Sequence, residues 1–71
     1  MKLKQLYALI EKGTKIIIEY ITPSFTIGET LIAHNSYSDI KIRTYYGTDT
    51  KIIGISGEFN GLKITLEKCE D

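Results

Sequence analysis

Residues 51–68, KIIGISGEFNGLKITLEK, decide the fold. Two apolar, β-branched runs flank Asn60-Gly61, a dipeptide suited to the positive-φ positions of a two-residue type I′ hairpin turn. With those two residues as the loop, Phe59 opposes Leu62, Gly57 opposes Ile64, Ile55 opposes Leu66 and Ile53 opposes Lys68. Nearly every partner is apolar, so this face is written for burial. A slip of one residue would turn the whole set to solvent.

Outward from this hairpin, Gly47-Thr48-Asp49-Thr50 reads as a four-residue turn that brings in Ile40–Tyr46 as a third strand. Tyr46 then pairs with Lys51, Thr44 with Ile53, Ile42 with Ile55 and Ile40 with Gly57. The result is a C-terminal β-meander. Its reverse face carries Tyr45, Ile52 and Cys69 in one row, Arg43, Gly54 and Glu67 in the next, then Lys41, Ser56 and Thr65. Glu58 and Lys63 form the last pair. Arg43 reaches Glu67 across Gly54, and Glu58 faces Lys63, so most positive charge on this face is locally neutralised.

Toward the N-terminus, Lys15–Ile21 is a β-branched and aromatic strand closed by Thr22-Pro23-Ser24. Ile16, Ile18 and Tyr20 share one side, and Ile17, Glu19 and Ile21 share the other. Phe25, Thr26 and Ile27 resume an alternation, with Thr30–Ala33 as a continuation or as a second short strand. His34–Asp39 is a polar, turn-forming loop. Leu3, Leu6, Tyr7, Leu9 and Ile10 recur at helical spacing with Lys2, Lys4, Gln5, Glu11 and Lys12 opposite, which predicts an amphipathic helix of about three turns ending at Gly13. The fold class is therefore α+β. One domain, residues 1–71, has its N-terminal helix on one face of a mostly antiparallel sheet of four or five strands.

Composition sets the outer bounds. The 71 residues are 42% hydrophobic and 25% charged, which is ordinary for a folded domain. Nine basic residues balance nine acidic ones, so long-range attraction to nucleic acid or to an anionic membrane has no general support. Acidic mimicry of DNA has none either. The single cysteine excludes an internal disulfide and a thiolate zinc cluster. The absence of a long apolar run or signal-peptide core places the chain in the cytoplasm, with no membrane partner. Thirteen isoleucines, and eight lysines against the single Arg43, match AT-rich coding sequence.

Little in the chain is catalytic. His34, Ser36, Ser38 and Asp39 share residue types with a nucleophilic triad, but consecutive loop residues lack the rigid shell and oxyanion hole that such chemistry needs. His34 has no partner at metal-ligand spacing, and the six glycines form no phosphate-binding pattern. No catalytic residue, metal or cofactor is assigned. Exposed apolar and aromatic positions point instead to protein contact, with Arg43, Tyr45 and Ile52 on the outer sheet face and Tyr37 at the tip of the polar loop, together with His34 and Asp39 of that loop, as the partner-binding set. The competing reading has the Tyr20–Asp39 segment folding over that face. A different class, a small-ligand or single-stranded nucleic-acid module, would use Lys41, Arg43, Tyr45 and Lys63, although Glu58 and Glu67 share that patch. A core of this size also gains from a second copy, so a homodimer is favoured over a monomer.

The order KLKQLYALIEKG, TKIIIEY, IKIRTYYGTDTKIIGIS and FNGLKITLEK resembles short helix-then-sheet proteins of phages and mobile elements from low-GC bacteria, which include anti-defence and anti-CRISPR inhibitors. That resemblance covers nearly the whole chain, in architecture and composition. It implies a stoichiometric, non-enzymatic binder that turns off a host defence protein, without a cofactor, inside the bacterial cell.

Overall fold

The computed structural model describes residues 1–67. Its elements are α1 (Leu3–Tyr7), β1 (Lys15–Ile21), β2 (Thr26–Ile32), α2 (Ser36–Lys41) running into a π-helical turn (Ile42–Tyr46), β3 (Ile52–Glu58) and β4 (Gly61–Glu67). The architecture is α+β, with a single four-stranded sheet in the order β2-β1-β4-β3. β2 and β3 are the antiparallel neighbours of β1 and β4, whereas β1 and β4 run parallel. The sheet is therefore mixed.

β1 lies inside the sheet because its isoleucines serve both faces, as a central strand requires. Ile16 lies between Leu31 and Leu62, Ile18 between Glu29 and Ile64, and Tyr20 between Ile27 and Leu66. This inner face builds the core: Ile16, Ile18, Ile64 and Leu66 are fully buried, with Leu3, Ile10, Leu31, Ala33, Ile42 and Tyr46 closing over them. The opposite face carries Ile17, Glu19 and Ile21, as the alternation predicts.

The N-terminal helix is shorter than expected. It spans five residues, after which Leu9 N–H bonds Leu6 O at 2.9 Å and Ile10 N–H bonds Tyr7 O at 3.2 Å. These tighter i→i+3 turns carry Ile10 into the core and leave Leu9 77% exposed. Beyond them, Gly13 N–H bonds Ala33 O at 3.0 Å and Ala33 N–H bonds Thr14 O at 2.8 Å. The chain is thereby drawn into the β1–β2 ladder. Gly13, at φ 91°, supplies the left-handed turn.

The third strand of the expected meander is absent: residues 40–46 are helical. Ile42 and Tyr46 suit either an inward strand face or an inward helix face, and the helical spacing Ser38, Ile42, Tyr46 is the one that buries all three. Asn35 nucleates the helix by accepting a 3.0 Å hydrogen bond from Tyr37 N–H. The polar loop expected at His34–Asp39 is thus partly the first turn of α2. The face that carries Lys41, Arg43 and Tyr45 is consequently a helix surface, not the back of a sheet.

The hairpin forms with its register moved by one pair. Glu58 opposes Gly61, Gly57 opposes Leu62 and Ile55 opposes Ile64, with Phe59-Asn60 as the loop and Asn60 at φ 64°. A shift of two residues preserves the side-chain faces, so the expected apolar partners still meet on one side. The shift also separates Glu58 from Lys63, whose ammonium instead lies 3.6 Å from Glu19. A bulge between Ile52 and Gly54 leaves Ile53 half exposed and turns Ile52 toward Leu66 and the core. Ile52 therefore does not sit on an outer apolar patch. The expected Ile53–Lys68 pair and the row position of Cys69 lie outside the described residues.

Candidate contact surface

α2 and its π-helical continuation lie on the inner face of the sheet, tied down by Ile42 and Tyr46. One position round the helix from the buried stripe runs a second stripe, Tyr37, Lys41 and Tyr45, at i, i+4 and i+8. The Lys41 ammonium sits 5.6 Å from the Tyr37 ring centroid and 5.8 Å from that of Tyr45, inside the range of cation–π attraction. It also donates to the Tyr37 hydroxyl at 3.3 Å and lies 2.6 Å from Glu29 Oε2. Tyr46 O–H donates to the other Glu29 oxygen.

These contacts set the electrostatics. Hydrogen bonding to Glu29, then to Tyr37, raises the Lys41 pKa above its usual value. Burial pushes the Glu29 carboxyl up, but the hydrogen bonds from Lys41 and Tyr46 outweigh it and hold the group below its usual range. Burial, with the Glu29 hydrogen bond second, raises the Tyr46 phenol. Lys41 is thus charged but compensated. Its role in the ridge is to space and orient two tyrosines that remain 63% and 53% exposed. Ile40, also exposed, extends the apolar surface, and the Tyr45 ring meets Tyr46 edge-on at 4.8 Å.

The remaining predicted residues are dispersed. Arg43 is exposed beside a shallow hollow of about 360 Å³, which it lines with Gly47, Thr48, Asp49 and Thr50. Asp49 there is shared by Lys4 at 3.4 Å and Lys2 at 4.0 Å. Lys63 lies on the outer sheet face, since its β4 neighbours Leu62 and Ile64 face the core. The geometry therefore brings Tyr37, Lys41 and Tyr45 together, places Arg43 to one side, and separates Lys63 from all of them.

His34 and Asp39 belong to a second cluster organised by Tyr7, a residue the sequence reading assigned only to packing. The Tyr7 hydroxyl donates to Asp39 Oδ1 and accepts from His34 N–H at 2.6 Å. Burial, then the Asp39 hydrogen bond, raises its pKa. The imidazole packs on the Tyr7 ring at 4.5 Å, and its Nε2–H donates to Ile10 O at 2.8 Å. Ser38 Oγ accepts from Ile32 N–H at 3.2 Å. Each of these groups is engaged by a neighbour that fixes the loop, with no nucleophile–base pairing between them. His34 holds φ at 61°, a left-handed position that this bonding sustains.

Glu29, Tyr46 and Tyr7 carry the polar architecture of the site without having been singled out from the sequence. The i, i+4, i+8 spacing of Tyr37, Lys41 and Tyr45 was the available signal, masked by reading the segment as a strand. Among the described residues, no three His, Cys, Asp or Glu side chains converge on a common point, and no helix is long and apolar enough to cross a membrane. No protein-family model, curated protein or solved structure matches the chain.

Proposed function

We propose that this protein is a non-enzymatic interaction protein, encoded by a phage or mobile element of a low-GC bacterium, that binds and inhibits a host defence protein. The observation that supports this reading is the exposed tyrosine pair on the α2 ridge, held on either side of a lysine whose charge is already met by Glu29. Rigid aromatic side chains with little rotamer freedom are favoured interface anchors, and Ile40 extends the apolar contact. Arg43 flanks the ridge as a peripheral contact. His34 and Asp39 fix the chain ahead of α2 through Tyr7, and Ile52 packs toward the core. The phage or mobile-element origin and the defence target rest on the resemblance in element order and composition.

The test is affinity capture from lysate of a low-GC bacterium at low and high salt, with the wild-type chain beside a Tyr37→Ala/Tyr45→Ala variant of confirmed fold. The expected result is one stoichiometric host protein that survives high salt and is lost with the variant, and whose defence activity the wild-type chain suppresses. Equal retention by both chains would refute the ridge as the contact surface. Retained nucleic acid that washes off with salt would instead support a module using Lys41, Arg43 and Tyr45, because phosphate contacts release counterions.

A further inference from the structure

We propose that β3 is a self-association edge: two copies of this chain pair β3 with β3, antiparallel, about a two-fold axis beside Ser56, joining their sheets.

The two edges of the sheet differ. β2 carries Glu29 with Lys41 fastened to it and follows Pro23. β3 has no charge and no proline from Ile52 to Gly57, the features with which exposed edges are normally guarded. One end is guarded, by the bulge at Ile53 and by the N-terminal segment, which pairs with the same edge where Ile52 N–H bonds Met1 O at 3.0 Å and Leu3 N–H bonds Thr50 O at 2.9 Å, and this confines open pairing to Gly54–Glu58. Along that stretch Ile55 is 51% exposed, with Ile53 at 50% and Phe59 at 87% at its ends.

Backbone alternation settles the register. Glu58–Gly61 closes a two-residue hairpin and is therefore a hydrogen-bonded pair, so Ser56–Lys63 is one too. The N–H and C=O groups of Ile55 and Gly57, between them, point away from β4 toward the open edge. An antiparallel copy satisfies all of these groups when Ile55 opposes Gly57 of the second copy and Gly57 opposes its Ile55. A Cβ placed at Gly57 meets nothing within 4 Å, which leaves space for the facing isoleucine. The same register directs Ile53 toward Phe59 of the second copy and sets Glu58 opposite its Gly54. No like charges are opposed. Five paired residues bury less than a standard interface of about 1,600 Å², so dimerisation should depend on concentration.

The test uses the full chain. In sedimentation velocity from micromolar to near-millimolar concentration, the mass should rise from one copy to two. Gly57→Pro removes an edge N–H that makes no bond to β4, and should weaken dimerisation at least about tenfold. In a Cys69→Ser background, Ser56→Cys sets the thiol against its own copy at a non-hydrogen-bonded position, where Cα atoms lie about 4.5 Å apart, within disulfide reach. Mild oxidation should yield a covalent dimer from Ser56→Cys and not from Thr30→Cys on β2. A chain that stays monomeric throughout overturns the proposal. So does a dimer that Gly57→Pro leaves intact and that Ser56→Cys fails to crosslink, since another surface would then hold the copies together.

Discussion

The Lys41 ammonium lies 2.6 Å from the Glu29 carboxylate, and this contact joins α2 to the edge strand β2. Glu29 sits on the inner side of β2, opposite Ile18, so an acidic group reaches the border of the core. It is tolerated there because Lys41 and Tyr46 both bond it.

The pH dependence of stability follows from this cluster. Glu29 has a folded pKa below its ordinary value of 4.5, so its contribution is present above that pH and is lost as pH falls through the folded value. Lys41 and Tyr46 are raised above 10.5 and 10.0. Their contributions are present below those values and are lost as pH rises through the folded ones. Urea unfolding should show a plateau near neutrality that falls on both sides, with the acid limb shallower in Glu29→Gln. An unchanged acid limb would remove Glu29 from this role.

Tyr7→Phe deletes the hydroxyl that links Asp39 to the strained backbone at His34. A part-buried N–H losing its acceptor costs about 1–3 kcal/mol, and each kcal/mol lowers Tm by about 4–8 °C in a domain of this size. Chemical denaturation and calorimetry should both register the loss. A Tyr7→Phe variant as stable as wild type would show that the cluster does not lock this loop.

Gly61 and Gly28 should respond oppositely to alanine. A Cβ at Gly61 would lie 2.6 Å from the Lys15 carbonyl oxygen, whereas one at Gly28 meets nothing within 4 Å. Gly61→Ala must push β4 away from β1 and should destabilise by about 1–3 kcal/mol. Gly28→Ala should be neutral or stabilise by up to about 1 kcal/mol through reduced unfolded-state entropy. Equilibrium unfolding of the two variants decides the matter. The glycine of Asn60-Gly61 is thus required by the neighbouring strand, while Asn60 occupies the left-handed turn position.

The isoleucines divide in the same way. Ile18 and Ile64 are fully buried neighbours across the parallel β1–β4 pair, while Ile53 is half exposed at the bulge. Ile18→Ala or Ile64→Ala should cost about 2–5 kcal/mol, enough to unfold much of a marginal domain. Ile53→Ala should cost under about 1 kcal/mol. Far-UV circular dichroism through a urea titration distinguishes them.

Much of this division was legible from local pattern. β1 is a β-branched run with polar closure, the hairpin is marked by Asn60-Gly61, and period-two alternation assigns Ile16, Ile18, Ile64 and Leu66 to one face. These features survive because an error of two residues in register leaves the face unchanged. The sequence likewise placed Tyr37 and Tyr45 among the exposed contact residues without knowing what held them.

Tertiary structure alone decided the rest. Ile42 and Tyr46 are four residues apart, a spacing that suits a strand face and a helix face equally, so periodicity could not choose between them. Helix won because it buries Ser38, Ile42 and Tyr46 together and lets Lys41 and Tyr46 meet Glu29 on β2. The parallel β1–β4 pairing and the bulge that turns Ile52 inward have the same origin. Each depends on which strand becomes a neighbour in space, and no run of adjacent residues encodes that choice.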